Sequence, residues 1–149
     1  MPDAPEWLLL GHAASTWALA GLIWLVQLVH YPLFARVGND QFEAYQRDHV
    51  RRIGWVAAPL MLVEAATGLA LAWWRPTGVP MPLIWTGAAL LAAIWVSTFL
   101  WQVPQHNRLN LGFDEDAHAK LVRGNWLRTA AWTLRAGSVT AMLACTMAA

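Results

Sequence analysis

The chain has 149 residues, of which 58% are hydrophobic and 13% are charged, and its formal net charge is +1. Soluble domains carry about 25% charged residues, so this composition favours an all-α protein embedded in lipid. The lack of a basic excess argues against a nucleic-acid partner. The single cysteine, Cys145, excludes an internal disulfide framework and a thiolate zinc site.

Four apolar segments are long enough to cross the hydrocarbon, which takes about 20 helical residues. They are residues 13–34, 53–74, 82–103 and 126–147. Their spacing predicts an antiparallel up-down four-helix bundle that forms one domain over residues 1–149. Short amphipathic helices should lead into spans two and four, the first capped by Asn39 or Asp40 and the second by Asp114. Because no Lys or Arg precedes Arg36, we do not expect span one to be a cleaved signal peptide.

The basic residues predict how the chain is oriented. Only Arg75 lies in the connection between spans two and three, whereas the other two connections hold most of the remainder: Arg36, Arg47, Arg51, Arg52, Arg108, Lys120 and Arg123. The positive-inside rule then places these two loops in the cytoplasm and both termini outside the cytoplasmic membrane. Tryptophans near the span ends, such as Trp55 and Trp101 inside and Trp73 and Trp85 outside, are expected at the membrane interfaces.

Polar residues within the spans define the candidate site, because in hydrocarbon such residues face the bundle interior or water. On helix four a single stripe is formed by His118, Leu121, Asn125, Arg128, Trp132 and Arg135. At a rise of about 1.5 Å per residue, Glu64 in span two and Arg135 in span four lie at similar depths. We therefore predict that they pair directly or through water. The alternative interpretation is a clamp that only fixes helix register.

This arrangement predicts a half-polar cavity that opens toward the cytoplasmic end and is closed by the ion pair, with Trp95 as one wall. The side chains expected to bind a ligand are Trp24, Gln27, Thr98, Asn107, Asn125 and Trp132. The side chains expected to take part in chemistry are His30, His49, Glu64, Arg128 and Arg135. His12 and His118 are interpreted as boundary residues without a role.

A metal site is an alternative interpretation of the same region. His30, His106 and Glu64 could supply imidazole and carboxylate ligands to Fe, Cu or Zn. A haem held by His30 and His106 is a further variant. No HxxxH or HExxH motif is present, so each ligand would come from a different helix. The sequence therefore does not decide between a metal ion, a haem and no cofactor.

Two segments resemble a known family. V-P-Q-H-N-R-L, residues 103–109, and N-W-L-R-T, residues 125–129, resemble the anthrone-oxygenase-like family of small four-span bacterial membrane proteins. The matching residues are Pro104, Asn107, Leu109, Trp126 and Arg128. The resemblance covers mainly the second half of the chain. It implies a four-span fold with a polar end, and activity in the oxygenation of polycyclic phenolics.

Three classes of function follow. The first is a membrane oxidoreductase or oxygenase, metal-assisted or not, that binds a hydrophobic aromatic ligand. In it, Asn107, Asn125 and Arg128 orient the ligand's oxygens, and His30 or His49 acts as base. The second is a non-catalytic subunit or assembly module, in which the helix-four stripe faces a homo-oligomer or a larger complex. A small carrier or channel ranks last, because no broken helix is evident near the midplane.

Overall fold

A computed structural model describes residues 3–148, and this part of the chain forms a bundle of four long helices without a strand. The helices are α1 (Ala4–Phe34), α2 (Asn39–Trp73), α3 (Met81–Leu109) and α4 (Glu115–Met147). Helices α1, α2 and α3 are long and apolar enough to cross a membrane. Helix α4 is equally long, but arginines within its apolar stretch lower its hydropathy.

The helix starts follow local capping chemistry. Asp3 accepts a hydrogen bond from Glu6 N, and the Glu6 carboxylate accepts one from Asp3 N, each at 2.9 Å, so α1 begins well before the predicted span. Asp114 caps α4 as predicted, accepting from Ala117 N at 2.8 Å.

The predicted cap of α2 is wrong, whereas helical turns do lead into spans two and four. Helix α2 begins at Asn39, and its N-cap is Gly38, which has no side chain that could accept a bond. The lead-in segments are the first turns of α2 and α4, each continuous with the apolar part of its helix.

Helices α1 and α3 each contain one turn of π-helix, Val26–His30 and Thr98–Gln102. Each turn ends two residues before a proline, Pro32 or Pro104. Proline has no N–H and its ring clashes with the carbonyl four residues earlier, so it disfavours an ordinary α-turn before it. The wide turn accommodates the ring, and α3 continues to Leu109, beyond the predicted end of span three.

The core forms three layers along the bundle. The middle layer includes Leu19, Ile23, Met61, Ile94 and Trp132. One end layer includes Leu9, Leu71, Val79, Ile84 and Met142. The other end layer includes Phe34, Phe42, Leu109, Ala117 and Leu121.

The helices pack unevenly around the bundle. Helix α1 packs closely on α2 and on α4, and α4 packs closely on α3, whereas α2 and α3 contact each other much less. We call this loosely packed boundary the α2–α3 seam. The outer surface carries many large apolar side chains, among them Trp55, Leu62, Leu100 and Leu134, which is typical of lipid contact.

Candidate functional site

The centre of the bundle holds a buried ion pair. Arg135 Nε donates to Glu64 Oε1 at 2.9 Å, and the two side chains are 3% and 0% exposed, so the predicted direct pair is confirmed. The carboxylate also accepts from Thr16 Oγ1 at 2.9 Å and from Trp132 Nε1 at 3.1 Å. These bonds compensate the cost of removing the charge from water.

The remaining nitrogens of Arg135 also have partners. Its guanidinium donates to the Gly87 carbonyl, and Nη2 lies 3.3 Å from His12 Nε2. The Thr67 hydroxyl donates to the Val63 carbonyl at 2.7 Å, so it must accept from His12 Nδ1 at 2.9 Å. His12 therefore carries its proton on Nδ1 and accepts from Arg135 through Nε2.

His12 and Thr16 are functional-site residues that sequence reasoning missed. Both are buried inside the bundle, so the interpretation of His12 as a boundary residue is wrong. The predicted first span began after His12, whereas α1 begins at Ala4. The spacing of His12, Thr16, Leu19 and Ile23 is a helical stripe that an earlier start would have exposed.

A second polar group lies at the end of the bundle where α1 meets α2 and α3 meets α4. His30 Nε2 lies 2.7 Å from His49 Nδ1, and His106 Nε2 lies 3.1 Å from the Tyr31 hydroxyl. The His49 and His106 ring centroids are 5.7 Å apart. We call these four residues the histidine cluster.

Two further side chains hold the histidine cluster in place. Gln46 Nε2 lies 2.9 Å from His106 Nδ1, and His118 Nε2 donates to the Tyr31 carbonyl at 2.8 Å. The His118 ring also stacks on Phe34. His118 thus fixes the chain at Tyr31, which the boundary interpretation did not anticipate. The sequence did not indicate either residue: Gln46 lies outside the predicted spans, and Tyr31 lies near the end of the first span.

Arg128 is positioned by a relay of amides. Gln27 accepts from Asn125 Nδ2 at 2.8 Å, and Asn125 Oδ1 accepts from Arg128 Nη1 at 3.1 Å. The guanidinium carbon lies 5.1 Å from the centroid of the Trp132 ring. Within residues 3–148 no carboxylate pairs with Arg128, and its buried Nε has no hydrogen-bond partner. Gln27 and Asn125 therefore position Arg128 and do not line the cavity beside it.

That cavity, which we call the inner cavity, has a volume of about 330 Å³ and is lined by all four helices. Its polar lining consists of Tyr31, His49, Thr98, Gln102, His106 and Arg128. Gln102 is 2% exposed, and in the described part of the chain neither atom of its amide has a partner. Ligand pockets span roughly 300–1,000 Å³, and a buried unpaired amide is costly, so these features fit a bound polar group.

Two other hollows flank the inner cavity. A second cavity of about 550 Å³ lies against Arg135 and is lined by His12, Gly87 and Trp95 among others. A groove of about 660 Å³, here called the Tyr45 groove, is lined by residues that include His30, Tyr45, Asp48, His49 and Arg52. His49 lines both the inner cavity and the Tyr45 groove.

Several predicted ligand-binding residues lie elsewhere. Trp24 is 40% exposed, and its indole donates to Thr133 Oγ1 at 3.0 Å on the outer edge of α4. Its indole therefore finds a partner on the outer surface of the bundle, and Trp24 is not a cavity wall. Asn107 is exposed because α3 turns it outward, and Trp95 lines the second cavity.

Thr98 does line the inner cavity, and Trp132 lines it as predicted. The Thr98 hydroxyl donates to the Ile94 carbonyl at 2.7 Å, so its proton is used within α3. It offers a ligand only acceptor capacity.

The proposed metal ligands do not come together. Glu64 is occupied by Arg135, Thr16 and Trp132, while His30 and His106 belong to the histidine cluster. Among residues 3–148 no group of three or more His, Cys, Asp or Glu side chains is placed to hold a metal ion.

Comparisons of the chain with protein-family models, with curated proteins and with solved structures found no match. The resemblance to the anthrone-oxygenase-like family therefore depends on the two short segments in α3 and α4.

Proposed function

We propose that the four helices cross the cytoplasmic membrane as an antiparallel up-down bundle, with both termini outside and the histidine cluster toward the cytoplasm. The length and apolar character of α1, α2 and α3 support this arrangement. Helix α4 completes it because Asn125 and Arg135 are buried against the other helices and need not meet lipid. The arginines of the two long connections support the orientation.

In this bundle the inner cavity binds a flat hydrophobic ligand that carries an acidic or carbonyl oxygen. The observation that carries the proposal is the pair of unsatisfied donors, the Arg128 Nε–H and the Gln102 amide, beside a cavity whose walls are mostly apolar. Guanidinium and amide donors suit phenolate and carbonyl oxygens. The Trp132 ring and the aliphatic walls supply contact for an aromatic skeleton.

The reaction class that fits such a ligand is an oxygenation. His49 would act as the base and take a proton from the ligand. In the tautomer in which His49 donates its Nδ1 proton to His30, a proton would then pass toward the Tyr45 groove. Arg128 would stabilise the resulting anion. With dioxygen as oxidant, a ring CH₂ becomes a carbonyl, one oxygen atom stays on the ligand, and the other leaves as water. The resemblance in α3 and α4 favours a polycyclic phenolic substrate.

The alternative of a non-catalytic subunit predicted that the polar stripe of α4 would face a partner. Leu121, Asn125, Trp132 and Arg135 are instead buried within the protein's own bundle. Their burial favours an internal site over an interface.

Binding can be tested with 1,8-dihydroxyanthraquinone in detergent, followed by tryptophan quenching. We expect saturable binding to the wild type, weakened roughly fivefold by Gln102→Leu, because one buried hydrogen bond is worth about 1 kcal/mol. Asn107→Ala, a polar change on the exposed face of α3, should bind like the wild type. Absence of binding, or equal affinities in all three proteins, would overturn the proposal. Dioxygen uptake with the corresponding anthrone tests catalysis, and binding without uptake would leave a ligand-binding module.

A further inference from the structure

We infer that the ligand reaches the inner cavity sideways from the bilayer, through a mouth in the α2–α3 seam between Ala58 and Val103. This inference rests on the proposed function, because it requires both membrane embedding and a ligand in the cavity. It adds the direction of access and the residues that control it.

The exposure of the cavity walls locates the mouth. Of all the side chains that line the inner cavity, only Ala58 of α2 and Val103 of α3 are exposed. Those contributed by α1 and α4, such as Ile23, Val26 and Trp132, are buried or half-buried. The cavity therefore meets the outside only where α2 faces α3.

Small residues keep this mouth open. The α2 wall of the inner cavity includes Gly54, Ala57 and Ala58, which carry almost no side chain. A Cβ atom placed on Gly54 would meet no atom within 4 Å, so there is free space beside it. Larger residues at these positions would fill the gap.

The loose packing at the α2–α3 seam is not confined to the inner cavity. Helices α2 and α3 contact each other more sparsely than the other neighbouring helices do. The second cavity also reaches the surface between them, since its exposed lining residues are Leu69 and Trp73 of α2 and Trp85 and Ala92 of α3. No close helix packing has to be broken for a ligand to pass.

A route from water through the Tyr45 groove would be narrower than the mouth in the α2–α3 seam. Only His49 and Ile53 line both the inner cavity and the Tyr45 groove, and the 2.7 Å bond between His30 and His49 spans that boundary. A proton can pass between these two imidazoles, whereas an aromatic ligand cannot pass between them. The exposed Trp55 lies one turn before Ala58 on α2, and such indoles mark the membrane interface, where amphiphilic phenolics also concentrate.

The first test follows association of 1,8-dihydroxyanthraquinone preloaded into phosphatidylcholine vesicles that hold the full chain. We expect Ala58→Phe to slow association and dissociation alike by roughly tenfold, because a narrowed path obstructs both entry and exit, whereas a side chain that only crowded the cavity would speed dissociation. Ala66→Phe, on the exposed face of α2 away from the cavities, is the matched control. If the wild type binds and both variants associate equally fast, the lateral route is wrong and the proposed function stands.

A second test needs no aromatic ligand. In a Cys145→Ser background, Ile23→Cys places a thiol on the buried α1 wall of the inner cavity. Lipid-soluble N-ethylmaleimide should label it, and Ala58→Phe should slow that labelling without affecting Ala66→Cys. Labelling by a charged, membrane-impermeant reagent at the same rate, or labelling indifferent to Ala58→Phe, would overturn the lateral route.

Discussion

The pairing of Glu64 with Arg135 shows how buried charges dictate individual contacts. Every acceptor oxygen of the carboxylate is engaged, and the guanidinium reaches α2, α3 and α1 through Glu64, Gly87 and His12. Trp132, which donates to Glu64, lines the inner cavity, and Arg135 lines the second cavity. These contacts fit both interpretations of the Glu64–Arg135 pair, as a clamp that fixes helix register and as part of a functional site.

Removing one partner should be costly. Arg135→Met leaves a buried carboxylate without its counter-charge, and we expect a loss of about 3–5 kcal/mol in the free energy of unfolding. Glu64→Gln should cost less, because its amide oxygen still accepts from Arg135 Nε. Reversible unfolding of the detergent-solubilised variants measures both. Equal stability of Arg135→Met and the wild type would mean that the carboxylate is not buried.

Glycines supply a second prediction for single residues. A Cβ atom on Gly124 would collide with the Trp101 indole, which donates to the Lys120 carbonyl at 3.0 Å. We expect Gly124→Ala to destabilise the bundle by about 1–3 kcal/mol through overpacking. Gly137→Ala on the same helix meets no atom within 4 Å and should be neutral or stabilising by about 1 kcal/mol. The same unfolding assay applies, and a reversed ranking would contradict the packing of α3 on α4.

At the scale of whole helices, the π-turns explain where sequence reasoning failed. Hydropathy identified the apolar segments, but it could not show that α3 continues through Pro104. The proline suggested an end, whereas the wide turn Thr98–Gln102 carries the helix onward and turns Gln102 into the inner cavity. The matching turn in α1 carries His30 at its last position. Both turns hold a site residue, as π-turns often do.

The start of α4 gives a prediction about pH. Ala117 N–H and the Arg108 guanidinium both bond to the Asp114 carboxylate and lower its pKa below the ordinary value of 3.8. A carboxyl with a depressed pKa contributes stability above its unfolded pKa and loses it as pH falls through the folded value. We expect hydrogen-exchange protection of the first α4 turn to fall below about pH 4.

Two substitutions of Asp114 distinguish helix capping from titration of the carboxylate in that experiment. Asp114→Asn can still cap the helix but cannot titrate, so it should remove the Asp114 share of the pH dependence and keep protection at pH 7. Asp114→Ala should lose protection at both pH values. Identical pH profiles for Asp114→Asn and the wild type would show that Asp116 or another carboxyl is responsible.

At the scale of the whole molecule, much of the architecture could be predicted. The length of the apolar segments and the expense of buried charge were enough to predict four helices and to pair Glu64 with Arg135. The positions of Trp24 and Asn107 could not be predicted, because small errors in helix azimuth accumulate over several turns. The role of His12 could not be predicted, because the predicted first span began at residue 13, directly after it.

We propose that the inner cavity, which lies between the histidine cluster, Arg128 and Trp132, holds the ligand. The most direct test is photoaffinity labelling with an azide-bearing hydroxyanthraquinone in vesicles, with the modified residues located by peptide mass spectrometry. We predict labels on α2 at Ile53–Met61 and on α3 at Thr98–His106, competed by unlabelled 1,8-dihydroxyanthraquinone. Competed labels confined to the second cavity, or to residues on the outer surface of the bundle such as Leu62 and Leu134, would contradict it.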